Sequence, residues 1–330
     1  MAANKIWLLR LVPTFRFGRL LTGVLLASLL LPLFYLGSNE DPSDSAPALF
    51  FSLIIAYIIP VFSLITATSE EALEELRPIL DLDEASFEET RSKLHSSSLL
   101  QTALCLAIGA LCGFAHMSLI RGSVTATVQQ MLNNMSDFMS TLGTLLVWMI
   151  MTTVITMLIR QTILFSRLGA EHVQISLPTT RRLLPFARVS IISSLAVIGA
   201  LALFPLIGIE SGLNLLESVP GAVAMLVPLV IMFITPVWPI HRRLSALKER
   251  ELQAVNNRID LCLSGRDTVE LEDSELRQLT LLLTYRREIN HVPTWPFDMG
   301  NITRLTLYLV IVPLTWAGAA LIENLVDYLL

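Results

Sequence analysis

Charge is scarce in this chain. Only 15% of its residues are Asp, Glu, Lys or Arg, against 53% hydrophobic, and the mean hydropathy is +0.64. That balance excludes an ordinary soluble domain and a disordered chain, and it fits a multi-pass membrane protein. Cysteine is scarce too: Cys105 and Cys112 share one apolar run and Cys262 lies in a polar stretch, so neither a disulfide framework nor zinc spacing is available. The five histidines (His95, His116, His172, His241, His291) never fall at metal-ligand spacing. There is no HExxH, GxSxG, Walker A loop or glycine-rich dinucleotide turn. We therefore assign no catalytic residue, no cofactor and no metal, and we expect neither an enzyme nor a nucleic-acid partner. Ionisable groups are almost missing inside the apolar runs, where only His116 and Arg160 appear, each near a run's end. A charge in hydrocarbon costs at least a few kcal/mol and usually marks an ion pathway. Its absence argues against an energised transporter of charged solutes.

What the chain has in quantity is apolar runs near the roughly 20 residues that cross a bilayer. We place seven, at about 20–37, 49–67, 99–119, 142–163, 189–209, 220–240 and 302–322. Threading them alternately across a membrane puts all but Arg121 of the 23 Lys and Arg residues on one side. By the positive-inside rule that side is cytoplasmic, so the N-terminus is inside and the C-terminus outside. The lipid bilayer is the first partner. Residues 1–19 form a cytoplasmic interfacial segment read as a short amphipathic helix, and the run after Arg10, Arg16 and Arg19 is read as a retained first span rather than a cleaved signal. Spans one and two occupy 20–67, an acidic cytoplasmic loop 68–98, and spans three to six 99–240. A cytoplasmic helical hairpin fills 241–301, and 302–330 carries span seven and the outward C-terminus.

In the acidic loop, Glu70–Leu76 reads as a helical turn or two stopped before Pro78, and a second helix opens near Asp83. In the hairpin, one helix runs from about Arg242 to Leu263 with Leu244, Leu247, Val255, Ile259 and Cys262 on one stripe. A turn at Gly265 follows, and then a helix from Ser274 with Leu276, Leu279, Leu283 and Tyr285 facing inward. Outside, Val124, Val128, Met131, Met135 and Phe138 recur at helical spacing, as in a helix lying on the outer surface or in a gate with a Met-bearing face.

Each candidate site has a plainer alternative. Pro228, Pro236 and Pro313 bend helices and free carbonyls, as in the broken helices of transporters; with His116 they are the candidate pore or hinge residues. Proline is equally at home in ordinary membrane helices. Glu323 and Asp327, one turn apart, form either an outward acidic pair or the point where the last helix leaves the membrane. Gly109 and Gly113 make a small-xxx-small pattern that admits close helix packing, within the chain or between copies in a homo-oligomer. Arg181-Arg182 and His241-Arg242-Arg243 either anchor topology or hold anionic headgroups. Trp295, Pro296, Phe297 and Asp298, with Tyr285 before them, suit a hairpin handing over to a membrane helix at headgroup level.

The run Tyr285-Arg-Arg-Glu…Thr294-Trp-Pro-Phe-Asp298…Pro313-Leu-Thr-Trp316…Ile322-Glu…Asp327, with Leu73-Glu-Glu-Leu-Arg-Pro78 upstream, resembles an uncharacterised family of bacterial multi-pass integral membrane proteins. The resemblance implies a bacterial inner-membrane setting and no activity. The fold expectation is an all-α polytopic bundle of about seven transmembrane helices with a cytoplasmic helical hairpin. The leading functional expectation is a non-enzymatic membrane scaffold or sensor that recruits a cytoplasmic protein through the hairpin. A channel or carrier for a small neutral or lipid-like solute comes second, and an intramembrane enzyme third.

Overall fold

Backbone groups in hydrocarbon must be satisfied within their own segment, so long apolar runs fold as helices. The computed structural model describes residues 4–36, 45–204, 206, 215–263, 273–295, 303 and 307. The elements are β1 (Asn4–Lys5), α1 (Trp7–Arg10), α2 (Gly18–Leu36), α3 (Ser45–Leu76), α4 (Glu84–His95), β2 (Ser96–Ser97) and α5 (Leu99–Ile120). They continue as α6 (Val124–Asn133), α7 (Met135–Arg167), α8 (Leu184–Leu201), α9 (Leu215–Ile234), α10 (Trp238–Leu263) and α11 (Asp273–His291). The fold is all-α. Among the described residues, 5 helical stretches are long and apolar enough to cross a membrane, at Gly18–Tyr35, Ala46–Ile79, Leu99–Ile120, Met135–His172 and Thr180–Leu201. The expected sixth span is helical in α9, but the helix ends at Ile234 and α10 begins at Trp238, inside the 220–240 run. The expected seventh span lies outside the described residues but for Thr303 and Leu307.

The helices divide into a centre and a rim. In α3 67% of the most apolar window is buried, whereas α2 and α5 bury only 17% and 22% and present Leu20, Val24, Leu25, Leu104, Ile108 and Leu111 outward. Outward leucine on this scale suits lipid and not water, in keeping with a membrane location. The main apolar core joins α2, α3, α7, α8 and α9 around Ile54, Phe62, Met157 and Met232. A second core sits at the end of the bundle that holds most of the cations. There Leu73, Leu76, Phe87, Leu94, Phe165, Phe186, Ile240 and Leu244 bring together α3, α4, α7, α8 and α10.

Three expectations change here. The acidic stretch is no separate turn, because α3 runs unbroken to Leu76 and folds back on α4. The N-terminal segment is not one interfacial helix: β1 pairs antiparallel with β2, only α1 is helical before α2, and Ile6, Leu8, Leu9 and Val12 are buried in the main core. Four apolar side chains finding protein rather than lipid explains that shape. In the hairpin the inward side chains of α11 are Leu279, Leu282 and Ile289, meeting Val255 and Ile259 of α10, while Leu276, Leu283 and Tyr285 face out.

Candidate functional site

The base of the hairpin is where the cationic end is most elaborately built. Pro236 has no N–H to offer the carbonyl of Met232, and the Val237 N–H turns to Ile234 O at 3.2 Å. The chain therefore breaks between α9 and α10, leaving the Met232 and Phe233 carbonyls without helical donors. The hydroxyl of Ser190 on α8 donates to both, to Met232 O at 3.2 Å and to Phe233 O at a shorter distance. Pro236 thus makes a capped joint held by a neighbouring helix, and Pro228 is buried on α9. Past the joint, Ile240 and Leu244 insert fully into the second core. The guanidinium of Arg243 donates to Gly169 O at 2.9 Å, in the π-helical turn Leu168–His172 that closes α7.

An aromatic cluster clamps the returning chain. The rings of His241 and Trp295 stack with centroids 3.9 Å apart, and Trp238 lies 6.2 Å from Trp295. One His241 ring nitrogen, Nδ1, is 3.2 Å from Thr294 O, and Lys248 Nζ donates to Asn290 O and Val292 O at 2.7 and 2.9 Å. Trp295 therefore joins the end of α11 to the foot of α10. Farther out, Tyr285 and Leu281 stand one turn apart on an exposed side of α11, and Leu276 and Leu283 are exposed elsewhere on it. Pro296, Phe297, Asp298, Pro313, Glu323 and Asp327 lie outside the described residues.

Beside the hairpin base, the acids of the expected loop are engaged internally. Glu70 pairs with Arg91 at 2.7 Å and with His95 at 3.0 Å, and Arg91 also meets Glu74 and Glu88. The hydrogen bond and charge of Glu70 hold the Arg91 guanidinium above its ordinary pKa. Arg77 bridges to Glu84, and Arg188 of α8 to Glu75 at 2.6 Å. Next to them Arg160 donates to Gln101 Oε1 at 2.7 Å, and the buried Gln161 amide reaches Thr66 Oγ1 and Leu94 O.

The remaining candidates belong to contacts within the chain. His116 accepts a hydrogen bond at Nδ1 from Trp148 Nε1, 3.1 Å away, tying α5 to α7. A methyl at Gly109 would lie 2.6 Å from Met149 Cα and 2.8 Å from Trp148 O, and Gly113 faces Leu145, so the two glycines let α5 lie against α7. Cys105 is buried along that line. Sequence reasoning gave Arg121 no structural role, treating it as the lone cation on the outer side. Its side chain, 8% exposed, pairs with Asp137 at 2.8 Å and donates to Thr141 Oγ1 at 3.1 Å, pinning the start of α7 to the end of α5. Helix α6 leaves Val124, Val128 and Leu132 exposed and buries Thr127.

An apolar cavity of about 40 Å³ lies between α3, α7 and α8, beside Tyr57, Met151 and Ala196. Among the described residues no group of three or more His, Cys, Asp or Glu could hold a metal ion. No family model, no curated protein and no solved structure matches the chain, so its function has to be argued from its own geometry.

Proposed function

We propose that this chain is a membrane-embedded docking protein, without catalytic activity, whose α10–α11 hairpin recruits a cytoplasmic protein. In this reading the membrane is a bacterial inner membrane, the cationic end and the N-terminus are cytoplasmic, and the C-terminus lies outside. One observation carries the docking role. The hairpin is rooted by Ile240 and Leu244 in a core shared with α3, α7 and α8, while the far face of α11 leaves Leu281 70% and Tyr285 50% exposed. Rigid rooting with an apolar, aromatic outer face suits a helix that a partner covers. The carrier reading has less support: the carbonyls freed at Pro236 are capped by Ser190, and His116 is spent on Trp148.

The test is chemical crosslinking and mild-detergent pull-down of the full chain, a chain lacking residues 243–290, and the double variant Leu281→Glu/Tyr285→Glu. The expected result is one defined soluble partner that is lost from both altered forms while membrane insertion is unchanged. Equal recovery of that partner by all three forms would overturn the proposal.

A further inference from the structure

A groove of about 310 Å³ opens at the foot of α2, between the N-terminal segment and the cationic end of α3. Its cations are Lys5 of β1 and Arg16 and Arg19 at the entry to α2. Among the described residues none of these three pairs with a carboxylate. Glu70 also lines the groove, but its two oxygens are taken by Arg91 and His95. The groove therefore keeps an uncompensated positive charge. It also sits at the level where α2 becomes apolar on its outer side, with Leu20, Val24 and Leu25 exposed directly beyond Arg19. Phe15, on the groove's lip, is 54% exposed.

We propose that this groove binds a phosphate-bearing anion, supplied by the headgroup of an anionic phospholipid whose acyl chains run along the outer leucines of α2. Three cations converging on a pocket at a membrane boundary are the arrangement that anionic headgroups seek, each cation contributing about 1 kcal/mol. The apolar track favours a lipid over free phosphate, because only a lipid fills both parts. The antiparallel β1–β2 pairing fixes Lys5 opposite Ser96, in the wall of the groove that Arg16 and Arg19 also line. The second basic groove, with Arg181, Arg182 and Arg188 around Glu75, differs in that Arg188 is already paired. The proposal rests on the membrane placement of the apolar helices and is independent of any hairpin partner.

The experiment measures thermal unfolding of the full chain in mild detergent against added short-chain phosphatidylglycerol, phosphatidylcholine of the same chain length, and inorganic phosphate. Phosphatidylglycerol is expected to raise the midpoint in a saturable way, and phosphatidylcholine to leave it unchanged. Lys5→Gln/Arg16→Gln/Arg19→Gln is expected to weaken phosphatidylglycerol binding by roughly tenfold or more. Arg181→Gln/Arg182→Gln should bind as the parent does. The charge-keeping variant Lys5→Arg/Arg16→Lys/Arg19→Lys should bind nearly as well, which guards against simple misfolding of the neutral form. Equal shifts with both lipids, or full binding by the neutral variant, would overturn the site. An equal shift with inorganic phosphate alone would overturn the lipid as its source.

Discussion

The two ends of this bundle hold their helices together by different means. At the cationic end, α3, α4, α7, α8 and α10 close around a water-excluding core and are laced by Arg91, Arg77 and Arg188 to carboxylates. In the apolar layer and at the opposite end, contacts rest on shape and isolated hydrogen bonds: Gly109 and Gly113 under α7, Trp148 to His116, and Arg121 to Asp137. In the proposed membrane setting the physical reason is the surroundings. Next to water, burying Phe165 and Phe186 gains the hydrophobic free energy. Next to lipid, an outward leucine is as comfortable as an inward one, so close approach and hydrogen bonding decide which helices meet.

That contrast can be broken in several places. The largest expected effect is at the cationic end, where Phe186 is fully buried and packs edge-on against Phe165 at 5.9 Å. Phe186→Ala should destabilise by about 3–5 kcal/mol in detergent unfolding titrations; a loss below about 1 kcal/mol would mean that this core contributes little. Gly109→Ala comes next. Its new methyl would strike backbone atoms of Met149 and Trp148 that cannot rotate away, so a cost near the upper end of about 1–3 kcal/mol is expected. A neutral Gly109→Ala would show that α5 does not lie against α7 this closely. Arg121→Ala should cost about 1–3 kcal/mol by leaving Asp137, 32% exposed, without its partner. Smallest is Arg91→Ala, whose partners are exposed enough that under about 1 kcal/mol is expected. Salt sharpens the distinction: half-molar salt should erase most of the Arg91→Ala effect and leave that of Arg121→Ala largely intact.

Five of the seven expected spans were legible in the sequence, because apolar runs of this length fold in one way. The extension of α3 through Glu70 and Glu74 was not. A charged stretch reads as a loop until its counter-charges on α4 are in place, Arg91 being 21 residues from Glu70. The β1–β2 pairing has no side-chain signature at all, since two residues on each strand make it through backbone groups. Arg121 drew notice only as an exception to charge alternation, because Asp137 is 16 residues away and beyond a second helix. Pro236 was legible as a residue that bends the sixth span and frees a carbonyl, but nothing in the local pattern named Ser190 as the donor to the freed carbonyls. On α11 the apolar residues were visible and the phase was not: Leu279, Leu282 and Ile289 turn inward, while Leu276, Leu283 and Tyr285 are exposed.

The account stands on the cationic end and its hairpin facing the cytoplasm, opposite the Arg121–Asp137 end. One labelling experiment tests this directly. In a background carrying Cys105→Ser and Cys112→Ser, Cys262 of α10 is compared with Ser123→Cys, in a Cys262→Ser chain, at the start of α6. A membrane-impermeant thiol reagent is applied to right-side-out and to inverted vesicles. Labelling of Cys262 is expected only in inverted vesicles, and of the Ser123→Cys chain only in right-side-out ones. Labelling of both positions from the same side, or of Cys262 from outside, would contradict it.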